Sequence, residues 1–382
     1  MSSNLIILGN GFDLKCRVRS TFKDFFDDRI STEVKQQLES FFKNLDLRDS
    51  YRSLSFNEDD EYDGDYIPEN RYNLIEEANL TFWDLLFVAN INQTSMRDWH
   101  NVEQNMLDIL KEIDLEKNYS NLGQHMTKGI PNLRRGLKSN IQISLIKCCI
   151  LAYYVIPKER YRSKKNLDNF LLSELILFES AFSQYLKDQV LKTRSYFDLS
   201  ELLIGEIIGV ENSIDDIGAL SFNYTEPKCL RNKITNVHGK LKNDNIIFGI
   251  DQDKIPTDSL SYKYTKTFRK MVQINKKNDD YVYINNKNDL KNIFFYGHSL
   301  SALDYSYFQS IFDYYNLYDS NVSLTFCCSP YSGKTSQEIL AEHAGLVANL
   351  LEKYGTTMDN ENHGRNLMHK LMLEGRLTIK EI

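Results

Sequence analysis

A chain of 382 residues with 42% hydrophobic side chains has enough apolar surface for a substantial core, as one large domain or two ordinary ones. Its 26% charged and 12% aromatic content, with only 6 prolines and 17 glycines, excludes long disordered or low-complexity tracts. A net charge of -7 repels polyanions, so nucleic acid is not an expected partner unless a local basic patch recruits it.

Leu5 to Leu8 reads as a buried strand. It is too short for a signal peptide or a membrane span, and no later stretch reaches about 18 uninterrupted apolar residues, so a cytoplasmic location without membrane attachment is expected. The strand runs into Gly9-Asn10-Gly11-Phe12-Asp13, a tight turn, and Phe22, Phe25 and Phe26 follow at helical spacing. Glu58 to Asp65 is an acidic run suited to an exposed loop, without the ligand ladder of an EF-hand.

From about Asn70 to Leu203 the pattern is helical, with Ile75, Phe82, Leu85 and Leu86 on one face, then Val102, Met106, Ile109 and Leu110, then Leu171, Leu175, Phe178 and Phe182. After Ser213 short apolar runs predict strands at Ile217 to Phe222, Ile234 to Val237, Ile246 to Ile250, Ile293 to Tyr296 and Val322 to Cys327. A helix over Tyr305 to Tyr315 suits a parallel crossover. Two basic runs, Lys158 to Lys165 and His363 to Lys380, read as solvated faces. The six cysteines, Cys16, Cys148, Cys149, Cys229, Cys327 and Cys328, lack zinc-ribbon or disulfide spacing and are expected to be reduced thiols; no metal is expected.

Four polar motifs each follow a predicted strand: Gly9 to Asp13, Ser221-Phe222-Asn223-Tyr224-Thr225, Val237-His238-Gly239-Lys240, and Gly297-His298-Ser299-Leu300-Ser301. In an open parallel sheet such strand ends line one crevice where ligands bind. The Gly9 and Gly11 turn lets backbone amides approach a phosphate; equally, it is a plain strand-to-helix turn with Asp13 capping the helix. Leu14 stands at the third glycine of the dinucleotide fingerprint, which disfavours hydride transfer. Asn223 suits fixing a water or ribose hydroxyl, or satisfying turn backbone. His238 is the strongest acid/base candidate, with a structural histidine as its rival, and Gly239 gives a ligand close access. Gly297 and Ser299 are candidate ligand contacts, while Ser301 and Asp304 have capping-box spacing. Cys328 to Thr335 imitates a phosphate-binding P-loop but has Cys328 for its first glycine and Pro330 removing an amide donor.

These motifs together, with Ile247-Phe248-Gly249 and the stretches Trp99 to Glu103 and Tyr264 to Phe268, resemble the AbiH family of bacteriophage abortive-infection proteins. Cys16-Arg17-Val18-Arg19 departs from the His-Gly-Leu-Pro-like loop usual there. The motif order also resembles sirtuins, where a glycine turn, an Asn-containing strand end, a His-Gly pair and a Gly-x-Ser element surround NAD, although the zinc-binding cysteine module of the deacetylases is missing.

The resemblance implies an α/β, Rossmann-like, mostly parallel sirtuin-like sheet with a large helical insertion: residues 1–50 and 213–350 as the core, 51–212 as the insertion, 351–382 as a C-terminal helical tail. It implies an antiphage effector that binds and hydrolyses NAD or a related nucleotide, its substrate, to nicotinamide and ADP-ribose. Asn223, His238 and Asp13 are the catalytic candidates. Gly9, Asn10, Gly11, Phe12, Thr225, Gly239, Gly297, His298, Ser299 and Asp304 would hold the nucleotide. A phage-derived activator and a second copy of the chain are the other expected partners. Two alternatives stay open: a nucleotide sensor acting on a protein partner without turnover, and a metal-dependent nuclease using Asp13 and Asp304.

Overall fold

The computed structural model describes residues 3–44, 73–90, 99–115, 148–149, 151–152, 155–157, 159–160, 167–252, 255–274, 289–300, 304–330 and 333–382. The acidic run at 58–65, Ser301 and most of the basic run at 158–165 lie outside these.

In chain order the elements are β1 (Asn4–Leu8), α1 (Asn10–Lys15), α2 (Phe22–Arg29), α3 (Thr32–Asn44), α4 (Asn73–Glu77), α5 (Phe82–Asn90) and α6 (Trp99–Leu115). Next come α7 (Leu167–Lys192), α8 (Tyr196–Ile208), β2 (Ile217–Ser221), β3 (Ile234–Asn236) and α9 (Lys266–Ile274). The chain closes with β4 (Asn292–Tyr296), α10 (Tyr305–Tyr314), β5 (Ser323–Cys328), α11 (Ser336–Gly355), α12 (Glu361–Leu373) and β6 (Leu377–Glu381). Among the described residues no helix is long and apolar enough to cross a membrane.

The six strands form one sheet in the order β3-β2-β1-β4-β5-β6, and every pair is parallel. This is the Rossmann-like α/β arrangement expected from the sequence. The strand order reverses between β1 and β4, whose register pairs Leu8 with Tyr296, and a crevice outside the strand ends opens at such a reversal. β1 is buried on both faces because its side chains alternate. Leu5 and Ile7 pack with Phe295, Phe308, Phe312 and Leu351 under α10 and α11, while Ile6 and Leu8 pack with Tyr196, Ile204 and Phe294 under α8.

A third core joins α2, α3, α5, α6 and α7 around Phe22, Phe87, Phe178 and Phe248, whose rings lie 5.4 to 6.2 Å from one another. Buried ion pairs stitch these helices together: Arg29 holds Asp84, Arg160 holds Glu174, and Arg269 holds Glu179 with a second hydrogen bond to the Phe248 carbonyl. Arg160 therefore does more than solvate a basic run. The packing also crosses the expected segment boundaries. Within the stretch read as an insertion, α8 lies on the sheet, whereas α2, α3 and the side chains of Ile246, Phe248, Ile250 and Tyr264 join the helical core.

Three expectations need correcting. Ile246 to Ile250 makes no strand: Ile247 N–H donates to the His238 carbonyl and Phe248 N–H to the Glu179 carboxylate, and only a single bridge links Ile250 to Thr265. Its apolar side chains face helices, which is why the run looked like a buried strand. The tail is not wholly helical, because β6 pairs with β5 and Arg376, read as a solvated cation, is buried with its guanidinium on the Leu317 and Val322 carbonyls. The helical face read through Ile75 and Phe82 is broken at Asn79, whose φ of +47° ends α4 before α5 begins.

Candidate functional site

At the end of β1 the chain turns at Gly9 and packs backbone against backbone on the loop after β4. Gly9 N–H donates to the Tyr296 carbonyl at 2.9 Å and Gly11 N–H to the Gly297 carbonyl at 2.8 Å. A Cβ on Gly9 would sit 2.4 Å from His298 Cα, and one on Gly11 would sit 2.7 Å from Gly297 Cα. Glycine is demanded here by this close approach. Two amides expected to meet a phosphate are thereby already engaged within the protein. Phe12 is fully buried, its ring edge-on to Tyr296 at 6.4 Å, and so belongs to the core.

Asn223, just past β2, reaches across to this loop. Its side-chain amide donates to the Gly9 carbonyl at 2.9 Å, and Asn236 at the end of β3 donates to the carbonyls of Asn223 and Thr225 at 2.7 and 2.8 Å. The backbone-satisfying role is therefore present at Asn223. Asn10 accepts from the Ser20 hydroxyl at 2.6 Å.

Asp13 lies inside α1 and does not cap it. Both its oxygens accept from the Thr225 hydroxyl at 2.8 Å, and Tyr196 O–H donates to Oδ1 at 3.2 Å. Burial pushes its carboxyl up to about 7 from 3.8, although those two hydroxyls oppose the rise. This cluster sits on the α8 side of the sheet.

His238 belongs to a second cluster, with Phe222 and Tyr307 at 5.6 and 5.8 Å between ring centroids. Gly239 beside it has φ +92° and a notional Cβ 2.1 Å from the Asn245 carbonyl oxygen, so the turn itself requires a glycine here. His238 Nε2 is buried without a hydrogen-bond partner and stands 3.7 Å from Asp304 Oδ1. Asp304 Oδ2 lies 3.4 Å from His298 Nε2, while His298 Nδ1 accepts the Leu300 N–H at 2.9 Å. That acceptor role places the His298 proton on Nε2, facing the carboxylate.

Asp304 heads α10 without making a side-chain cap hydrogen bond, so the expected capping role falls away. Its charge is spent instead on Lys266, whose ammonium sits 3.3 Å from Asp304 Oδ1 and 2.8 Å from Glu103 Oε1. Burial works against the Lys266 cation, but the two carboxylates outweigh it and hold its pKa above the lysine norm. One ammonium cannot compensate two buried carboxylates. Asp304, despite burial, is held well below the usual range by Lys266 and the two imidazoles, and burial pushes Glu103 up to about 7. Burial and the Lys266 charge together push His238 down to about 3, against the pull of Asp304.

The strand ends thus bring Gly9, Gly11, Asn223, Gly297 and His298 into direct contact, and His238, His298 and Asp304 into one polar cluster. Asp13 and Thr225 form a separate cluster, joined to it through Asn223 and Asn236. Ser299 is exposed. Sequence reasoning missed Glu103, Lys266, Tyr196, Asn236 and Tyr307 as parts of these clusters. Glu103 and Lys266 fall inside two stretches that carried the family resemblance, which was the one available signal.

Asp13 and Asp304 have different hydrogen-bond and ion-pair partners, and among the described residues no group of three or more His, Cys, Asp or Glu could hold a metal ion. At the P-loop-like stretch, the Thr335 hydroxyl caps α11 in a capping box with Glu338, and Lys334 pairs with Glu342 at 2.6 Å. Those groups serve the helix.

No curated protein and no solved structure matches the chain. The sequence model of one family, described as bacteriophage abortive infection AbiH, matches residues 5–326, from β1 into β5 and across both polar clusters. The chain therefore belongs to the bacteriophage abortive infection AbiH family.

Proposed function

We propose that the protein is an abortive-infection effector that binds a nucleotide at the strand ends and hydrolyses NAD to nicotinamide and ADP-ribose. The observation carrying this reading is the meeting of the loops after β1, β2 and β4 at the strand-order reversal, with His238 and Asp304 beside them. The sirtuin-like order of the same motifs supplies the choice of NAD. In the reaction a water oxygen bonds to the ribose carbon, the bond to the nicotinamide nitrogen breaks with its electron pair leaving on that nitrogen, and one water proton passes to solvent. Asn223 and His238 orient water and ribose hydroxyls, and ionised Asp304 stabilises the developing oxocarbenium charge. Asp13 acts through Thr225, holding the loop after β2 in place.

A nucleotide sensor would use the same crevice without turnover. Purified protein incubated with NAD, with and without lysate of phage-infected cells, separates the two. Nicotinamide release supports hydrolysis; a thermal shift with NAD intact after hours supports the sensor.

A further inference from the structure

The most heavily charged buried cluster in the described chain contains two residues that the proposed chemistry does not use. Lys266, first residue of α9, and Glu103, on α6, come together from positions 163 apart in sequence at 5 and 8% exposure. Burying these charges is costly unless the geometry compensates. The compensation reaches further than the pair, because the same ammonium lies on Asp304 Oδ1, the oxygen that faces His238 Nε2.

We propose that Lys266, tethered by Glu103, is a positioning residue that occupies Asp304 and so keeps His238 from closing on it, leaving the imidazole Nε2 and the carboxylate unjoined and available to share a ligand hydroxyl. The unpartnered His238 Nε2 and Asp304 Oδ1 are 3.7 Å apart, too far for a hydrogen bond. Because Nε2 is closed to solvent, an oxygen about 2.8 Å from both enters only as the neighbouring side chains part, and it then bridges that separation. A sugar hydroxyl there accepts from the imidazole N–H and donates to the carboxylate. An imidazolium would pair directly with Asp304 and take up the donor that a ligand hydroxyl needs. Lys266 and Lys270 on α9 and the neighbouring His298 disfavour that cation, and Asp304 favours it. Tyr307 packs on the same ring, and Glu103 and Asp251 complete the charged surroundings. Because Glu103 is carried by α6, the helical region helps set the state of a strand-end histidine.

This inference rests on the site of the proposed function but not on turnover. The test is the imidazole titration of His238 by 15N-edited NMR of the full-length protein without nucleotide, assigned with His238→Gln. Wild type and Lys266→Arg stay neutral at His238 down to pH 5. Lys266→Met raises the midpoint by about 1–3 units. Should that variant not fold, Lys266→Met with Glu103→Met replaces the pair by apolar groups, a change buried ion pairs often tolerate, and gives the same rise. A folded double variant whose His238 midpoint does not rise above that of wild type, or a wild-type His238 charged at neutral pH, overturns the proposal. Wild-type protein that releases no nicotinamide while these titrations hold overturns only the hydrolase reading.

Discussion

The side-chain amide of Asn223 donates to the carbonyl of Gly9 at 2.9 Å, tying the end of β2 to the loop after β1 across 214 residues of sequence. Asn223 is buried, so Asn223→Ala removes a donor that water cannot fully replace. A loss of about 1–2 kcal/mol in urea unfolding is expected, with weaker nucleotide binding alongside. Unchanged stability would show that this bond does not fix the loop.

The glycine contacts make a paired prediction. Gly9→Ala sets a methyl 2.4 Å from His298 Cα and 2.6 Å from the Gly297 oxygen, both backbone atoms that cannot swing away. It should cost about 1–3 kcal/mol. Gly205→Ala, inside α8 with nothing within 4 Å of the new carbon, should stabilise by about 0.5–1 kcal/mol. Thermal melts of the two variants check both signs at once.

Asp13 is pushed up to about 7 from 3.8, so the folded protein holds this proton more tightly than the unfolded chain does. Its stabilising contribution is complete below about pH 4 and is lost as pH rises towards 7, at up to about 1.4 kcal/mol per unit. Asp13→Asn cannot titrate. Its stability relative to wild type should therefore rise between pH 4 and 7, and a constant difference across that range counts against the buried, raised carboxyl.

His238 carries the opposite sign. Pushed down to about 3 from 6.5, it stays neutral in the fold while the unfolded chain takes up a proton below about pH 6.5. Its contribution is present above that value and lost as pH falls, again at up to about 1.4 kcal/mol per unit. His238→Gln should remove this share of acid sensitivity, so its melting temperature falls less than that of wild type between pH 7 and 5. An equal fall in both proteins would mean that His238 is not held neutral.

The sheet was legible where burial on both faces leaves an unbroken apolar run, as at Leu5 to Leu8 and Ile293 to Tyr296. It was illegible at β6, where Leu377 to Glu381 mixes apolar and charged side chains on a sheet edge and follows a helix. Ile246 to Ile250 misled for the converse reason, since its apolar residues serve a helical core while β3 ends the sheet beyond them. Polar strand ends marked Asn223, His238 and His298 because their positions follow from the strands. Nothing in spacing could join Glu103 to Lys266, or turn Asp304 from a helix cap into the centre of a charge cluster. Those depend on where the helices settle on the sheet.

The most direct test of the proposed chemistry is quantification of nicotinamide and ADP-ribose released from NAD by the purified, lysate-activated protein and by His238→Ala. The expected result is equal amounts of both products from wild type and a rate lowered about 100-fold or more in the variant. NAD recovered intact from wild type, or cleavage untouched by His238→Ala, would contradict the assignment of hydrolysis to this site.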